Sequence, residues 1–227
     1  MHDVLDRIRG GLIVSCQATE GSPLQGPRYM TAMAECAQMS GAVGIRANGV
    51  ADIRAIKARV DLPMIGILKR RDLGPTVWIT PDVESARAIE QAGAEIVAMD
   101  ATTRPRPLQT TFASLCEAFK ETSSALIMAD VSTLDEGLAA VEAGADLVAT
   151  TLSGYTEYSP KLEGPDLELV EALVEKVDVP VVAEGRYMTP EHARQAIACG
   201  AHCVVIGQAI TNPIKIAERF VLGLSRR

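Results

Sequence analysis

Lys69 and Glu184 are the residues of this chain best suited to move a proton, and each stands at the end of an apolar run. Lys69 closes Pro63-Met-Ile-Gly-Ile-Leu68, where it could act as base, acid or Schiff-base amine. An unperturbed lysine, with a pKa of about 10.4, is neutral in only roughly one part in a few thousand at pH 7. A downward shift of about three units, some 4 kcal/mol, would poise it near neutrality. Burial beside Arg46 pushes that way, and an ionised Glu184 close by would oppose it. A Lys69–Glu184 ion pair that only steadies the fold is the plainer alternative. Glu184 closes Pro180-Val-Val-Ala183 and is followed by Gly185 and Arg186. The glycine lets backbone approach a ligand closely, and the arginine is a planar, permanently charged fork that suits an anion.

These residues need strands to carry them, and a repeat supplies the strands. Gly41-Ala-Val-Gly-Ile, Gly93-Ala-Glu-Ile-Val, Gly144-Ala-Asp-Leu-Val and Gly200-Ala-His-Cys-Val recur about every fifty residues. Each glycine closes a helix, and the apolar run behind it opens a strand. Four further apolar runs lie between them, at 12–15, 63–68, 125–129 and 180–183. The last of these lacks polar alternation, so both of its faces should be covered, as in a parallel sheet wrapped by helices. Thr80-Pro81, Thr189-Pro190 and Asn212-Pro213 each place a capping side chain before a proline at the first helical position. Ser132-Thr-Leu-Asp135 has the spacing of a capping box, with Leu134, Leu138 and Val141 on one stripe beyond it.

Eight strand–helix alternations in 227 residues predict a (β/α)8 TIM barrel of class α/β, as a single domain over 1–227. A doubly wound open sheet would want a Gly-x-Gly-x-x-Gly turn after the first strand, and Ser15-Cys-Gln-Ala-Thr-Glu-Gly21 stands there instead. In a barrel, catalytic residues come from the C-terminal strand ends. In order these ends carry Gln17, then Arg46 and Asn48, Lys69, Asp100 and Arg104, Asp130, Thr150 and Thr151, Glu184 and Arg186, and Gly207. Barrels often bind phosphate with the loops after strands seven and eight and a short helix N-terminus. Gly185-Arg186 and Gly207-Gln208-Ala-Ile fit that place, and the loops Thr19 to Arg28 and Ser153 to Glu163 are long enough to cover a site.

Composition narrows the partners. The chain is 48% apolar and 22% charged, with a net charge of -7, which argues against a nucleic-acid surface. Leu12 to Cys16 is too short to span a membrane or serve as a signal sequence, so a cytoplasmic protein is expected. Cys16, Cys36, Cys116, Cys199 and Cys203 form no Cys-x-x-Cys pair and read as reduced and mostly buried. His2, His192 and His202 share no ligand spacing, so no metal site is expected. Asp100 and Asp130 could bind a divalent cation, but hydrogen bonding to sugar hydroxyls suits Asp130 better. Ser15, Ser132 and Ser153 lack a histidine base.

Taken together, the sequence resembles the N-acetylmannosamine-6-phosphate 2-epimerases of bacterial sialic acid catabolism along nearly its whole length. The carriers are Ser15-Cys-Gln-Ala18, Gly44-Ile-Arg-Ala-Asn-Gly49, Ile65-Gly-Ile-Leu-Lys69, Ile79-Thr-Pro81, Asp100-Ala-Thr-Thr-Arg104, Met128-Ala-Asp-Val-Ser-Thr133, Thr150-Thr-Leu-Ser-Gly-Tyr-Thr156, Ala183-Glu-Gly-Arg-Tyr187 and Gly207-Gln-Ala-Ile-Thr211. The resemblance implies a phosphosugar enzyme that inverts carbon 2 of an N-acylated amino sugar without metal or organic cofactor. It implies Lys69 and Glu184 as the catalytic pair and places Gln17, Arg46, Asp130 and Thr151 on the sugar. Gly185, Arg186, Gly207 and Gln208 then lie toward the phosphate. Gln208 departs from the small residue expected there, so its side chain must turn away from the anion. Chemically, the ring opens to an aldehyde that acidifies the carbon 2 proton, Lys69 removes it, and Arg46 stabilises the enolate oxygen. Glu184 assists ring opening or returns the proton.

Two other readings fit some of these residues. A lysine Schiff-base aldolase would also set a lysine on a strand end and bind a phosphorylated substrate. A phosphosugar-binding regulator would tolerate loss of Lys69 while keeping affinity. The amphipathic C-terminal stretch Ile214 to Leu224 could pack on its own barrel or on a neighbour's, and a homodimer is expected.

Overall fold

The computed structural model describes residues 3–70, 77–106 and 110–225. Eight parallel strands close into a barrel in sequential order: β1 (Leu12–Cys16), β2 (Gly44–Asn48), β3 (Met64–Ile67), β4 (Ile96–Asp100), β5 (Leu126–Asp130), β6 (Leu147–Ala149), β7 (Val181–Glu184) and β8 (Cys203–Ile206). The helices are α1 (Asp3–Ile8), α2 (Pro27–Met39), α3 (Val50–Lys57), α4 (Val83–Gln91), α5 (Phe112–Lys120), α6 (Leu134–Glu142), α7 (Leu167–Lys176), α8 (Pro190–Ala198), α9 (Gln208–Thr211) and α10 (Pro213–Ser225). The (β/α)8 barrel read from the repeat is therefore the observed fold. All eight apolar runs are strands, and β8 pairs with β1 to leave no edge.

Side-chain alternation divides the barrel into an inner and an outer population. Ile13, Ile65, Ile96, Ala98, Met128, Leu147, Ala149, Val182, Cys203 and Val205 form one buried cluster inside it. The residues between them point outward: Val14, Ile45, Met64 and Val97 pack under α2 to α5, and Ala129, Val148, Val181 and Val204 pack under α6 to α8. The helices meet them with stripes spaced three and four apart, such as Met30, Ala34 and Ala37 on α2, or Leu169, Val170 and Leu173 on α7. On α6 the buried stripe is Glu136, Gly137 and Ala140, one register away from the Leu134, Leu138 and Val141 stripe read from sequence. Gly137 lies there because Leu173 of α7 occupies the space a side chain would fill.

The helix starts hold with two corrections. Thr189 caps α8 by accepting from His192 N, and Asn212 Oδ1 accepts from Lys215 N at the start of α10. Thr80 does not cap α4. It is fully buried with φ 45°, its N–H donates to Leu68 O, and its Oγ1 accepts from Leu68 N. Asp82 caps instead, accepting from Ser85 N at 2.7 Å. The reason is a returning segment: Ile79 bridges Lys69 antiparallel, Arg70 N donates to Trp78 O, and the chain folds back over the barrel mouth before α4 can begin. On α6 the cap is Thr133, not Ser132, and Glu136 reaches back to Ser132 N.

One element had no sequence forecast. α1 seals the N-terminal mouth, with Val4 and Ile8 joining the inner cluster. His202 Nε2 lies 2.8 Å from Leu5 O and Gly10 N donates to His202 O, which ties α1 to β8. Cys16, Cys116 and Cys203 are buried, Cys199 is half-buried, Cys36 is exposed, and all are free thiols. Among the described residues no helix is long and apolar enough to cross a membrane.

Candidate active site

The candidate residues continue the inward alternation past the top of the hydrophobic interior. Arg46 follows Gly44 on β2, Lys69 follows Ile65 and Ile67, Asp130 follows Met128, Thr151 follows Ala149, and Glu184 follows Val182. Lys69 and Glu184 thus stand on the same, inner side of the barrel, on opposite parts of its rim. The chain needs no special loop to gather this chemistry, because the strand period places it over the core.

At the centre is Arg46, 1% exposed. Its guanidinium grips the Asp130 carboxylate through two bonds, Nη1 to Oδ1 at 3.1 Å and Nη2 to Oδ2 at 2.5 Å. Such parallel bonds between ionised groups are among the strongest in proteins. Nη1 also donates to Glu184 Oε2 and, at 3.3 Å, to Thr151 Oγ1. Thr151 Oγ1 lies 2.7 Å from Asp130 Oδ1 and 3.1 Å from Glu184 Oε2. One arginine, two carboxylates and one hydroxyl therefore form a single buried network. Burial pushes the Glu184 carboxyl up to about 7, and the Asp130 charge adds to the rise; Arg46 and Thr151 oppose it. Arg46 itself is held firmly charged by Asp130 and Glu184 in spite of its burial.

Around this network the remaining candidates take up separate places. Gln17 Nε2 donates to Ser15 Oγ at 2.9 Å, whereas Gln17 Oε1 is buried with no partner among the described residues. Arg46 Nε is buried and unpaired in the same sense. Lys69 is set by its backbone, since its N–H donates to Asn48 Oδ1 at 2.9 Å, and its Nζ lies 5.5 Å from the centre of the Trp78 ring. Asp100 keeps to its own loop, accepting from Thr102 N and Oγ1 and from Arg104 at 2.6 Å. Burial raises its carboxyl above the ordinary range, against the pull of Arg104 and Thr102.

The expected phosphate residues lie at the ends of β7 and β8. Gly185 has φ 113°, a conformation glycine adopts freely, and the following Arg186 has φ 59°. A left-handed arginine is strained by about 1–2 kcal/mol, and the side chain holds it there. Nε donates to Gly164 O at 2.7 Å and Nη1 to Ser153 O, across the loop after β6. Gly154 makes room, because a side chain at that position would collide with the guanidinium. Nη2 is buried and has no partner among the described residues. Gly207 precedes α9, which Thr211 anchors to Ser15 O of β1 at 2.7 Å; Gln208 opens that helix and is exposed.

Sequence reasoning passed over Glu136. Its carboxylate is 3% exposed and accepts from Ser132 N and Oγ at 2.7 Å, from Thr103 N at 2.9 Å and from Tyr158 Oη at 2.5 Å. It thereby ties together the loops after β4, β5 and β6. The signal available was the spacing Thr133-x-x-Glu136, which marks a capping pair but not the two distant loops.

Comparison with known proteins identifies the family and the fold. The sequence profile of the N-acetylmannosamine-6-phosphate epimerase family matches residues 30–225. A protein of Caldanaerobacter subterraneus subsp. tengcongensis bearing the name N-acetylmannosamine-6-phosphate 2-epimerase is 50% identical over 226 residues, 99% of this chain and 95% of that one. One of the same name from Cutibacterium acnes is 47% identical over 219 residues, 96% of this chain and 95% of its own. A solved structure of the N-acetylmannosamine-6-phosphate 2-epimerase from Clostridium perfringens superposes with a TM-score of 0.93 at 43% identity, over 97% of this chain and 96% of that one. A thiamine phosphate pyrophosphorylase from Pyrococcus furiosus, at 18% identity and a TM-score of 0.61, shares the barrel fold alone.

Proposed function

Since the chain belongs to the N-acetylmannosamine-6-phosphate epimerase family, we propose that it interconverts N-acetylmannosamine 6-phosphate and N-acetylglucosamine 6-phosphate, in amino-sugar and sialic acid degradation, by moving the proton on carbon 2. The observation that carries the mechanism is the inward alignment of Arg46, Lys69, Asp130, Thr151 and Glu184 over one sealed core. The pyranose opens to its aldehyde with Glu184 as acid, a role its raised carboxyl suits near neutral pH. Lys69 takes the carbon 2 proton, and the enolate is reprotonated on its other face. Arg46 steadies the enolate oxygen formed between those steps.

The unpaired atoms support the same ligand. Arg46 Nε and Arg186 Nη2 are buried donors and Gln17 Oε1 is a buried acceptor, and each costs about 1–3 kcal/mol while unmatched. An acylated amino sugar phosphate offers an oxygen to each donor and an amide N–H to the acceptor. Arg186, with Gly185, Gly207 and Gln208, takes the phosphate; Gln17, Asp130 and Thr151 lie on the sugar side. No metal or organic cofactor enters this scheme.

Proton NMR of N-acetylmannosamine 6-phosphate in deuterated buffer tests the proposal. The expected result is formation of the gluco epimer with deuterium at carbon 2, and loss of both in Lys69→Ala. Continued exchange in Lys69→Ala would overturn the role given to the lysine.

The working form is a cytoplasmic homodimer. α10 is held through α9, and Ile214, Phe220, Leu222 and Leu224 on it stay 46–84% exposed, an apolar area a second copy would cover. Light scattering on the whole chain and on a form ending at Asn212 decides this: the dimer should become a monomer on truncation, and a whole chain that is already monomeric refutes it.

A further inference from the structure

Thr151 carries one hydroxyl proton but stands between two carboxylates. Its Oγ1 is 2.7 Å from Asp130 Oδ1 and 3.1 Å from Glu184 Oε2, so its one proton has two carboxylates within reach. The shorter contact takes the threonine proton. Asp130 is the ionised partner, because both of its oxygens already accept from the Arg46 fork. Glu184, held by a single bond to Arg46, is the less firmly compensated carboxylate of the two. Burial works in the same direction, as it pushes the Glu184 carboxyl up to about 7.

We propose that Thr151 is a positioning residue for proton delivery: it donates to Asp130 while Glu184 is protonated, then turns its proton to Glu184 once the Glu184 proton has passed to the sugar. The proposal rests on the epimerase reading and adds to it a part that acts through Glu184 instead of on the sugar. In the ring-opening step the Glu184 O–H bond breaks and a new O–H bond forms on the ring oxygen as its bond to carbon 1 breaks. The hydroxyl on carbon 1 releases its proton to water and becomes the aldehyde. Glu184 is then an anion beside Asp130 and needs a second donor. Thr151 provides it by rotating about its C–O bond, while Asp130 keeps both Arg46 bonds. The other groups that face Glu184 are Arg46 of β2, Asp130 of β5 and the Cys203 thiol of β8, with Lys69 on the β3 side of the mouth; Arg46 donates to both carboxylates at once, and Thr151 has the one hydroxyl proton that can pass from one to the other.

The test is Thr151→Val, which keeps the shape and removes the hydroxyl, beside Thr151→Ser, which restores it. In ligand-free protein with carboxyl-labelled glutamate, carbon NMR follows Glu184, its signal assigned by its loss in Glu184→Gln. The valine form should titrate higher than the parent by about half a unit or more, because the anion has lost a donor, and the serine form should return to the parent value. In turnover, kcat should fall about tenfold or more with KM little changed, and the alkaline limb of kcat/KM should move up with the titration. An unchanged Glu184 titration in Thr151→Val, or a rise in KM at constant kcat, would overturn the proposal, the latter by making Thr151 a simple sugar contact. Failure of Thr151→Ser to restore the titration would overturn it too. Because the titration needs no substrate, a parent protein that does not epimerise would sink the function while leaving this bridge to be decided on its own.

Discussion

Replacing Asp130 by Asn removes the strongest partner of Arg46 and should register twice. Arg46 is 1% exposed and Asp130 fully buried, so the substitution strips the charge from one member of a desolvated pair. Breaking such a pair from one side typically costs 3–5 kcal/mol, because the remaining charge is left uncompensated. Here Glu184 stays on Arg46 Nη1, so the loss should fall at the lower end, about 3 kcal/mol. The second effect is on Glu184. The Asp130 charge helps to raise that carboxyl to about 7, and without it the carboxyl moves down. A fall of about one unit would change its protonated fraction at pH 7 from about half to about one tenth. Epimerisation that needs protonated Glu184 would then drop about fivefold at pH 7 from this cause alone, and its alkaline limb would move toward acid. Urea unfolding measures the first effect and an NMR assay across pH 5–9 the second. A loss of stability under about 1 kcal/mol, or an alkaline limb that stays in place, would refute the reasoning.

Other substitutions probe the scaffold and the buried acid. For Glu184 the folded value of about 7 lies above the ordinary 4.5, so its neutral form favours the native state; that stability is whole below pH 4.5 and is lost as pH rises through 7. Glu184→Gln stays neutral throughout, and thermal melts should show it gaining on the parent by on the order of 3 kcal/mol between pH 4.5 and 8, whereas a constant difference would count against the shift. Gly66→Ala should destabilise by about 1–3 kcal/mol in urea, because its Cβ would stand 2.2 Å from the Ile89 side chain and 2.6 Å from Ala94. Asp82→Ala should remove the α4 cap, costing about 1 kcal/mol and about 2–4 °C in Tm; an unchanged Tm would mean that the returning Trp78–Thr80 segment alone starts the helix.

The barrel was legible because two periods are written plainly in the chain. Glycine followed by an apolar run marks every second passage from helix to strand, and the strand ends then name the rim in order. What stayed hidden is where side chains meet across the barrel. Arg46 and Asp130 are 84 positions apart, and strand-end logic puts both on the rim without saying that they would grip each other and draw in Glu184. The Lys69–Glu184 ion pair weighed as the plainer alternative is not how Glu184 is engaged; its carboxylate goes to Arg46. Thr80 misled for a related reason. A threonine before a proline is a good local cap, but a segment folded back against Leu68 claimed both its N–H and its hydroxyl. Likewise Glu136 reads locally as a capping partner, and only the closed fold brings Thr103 and Tyr158 to it.

The floor of the barrel bears on the chemistry at its mouth. Residues 1–10 mix acids and bases and gave no helix signal, yet α1 sets Val4 and Ile8 under the inner cluster and closes it. Charges above a dry interior interact far more strongly than they would in water. Burial is the largest cause of the raised Glu184 carboxyl, and that burial depends on the storey beneath it being complete. Below Arg46, Asp130, Thr151 and Glu184 the inward positions are filled by Gly44, Met128, Ala149 and Val182, so no second polar layer dilutes their field. The apolar core thus sets the reactivity of the acid as well as the stability of the fold. A side chain that admits water below Met128 would bring Glu184 back toward the ordinary carboxylate range without touching any member of the network.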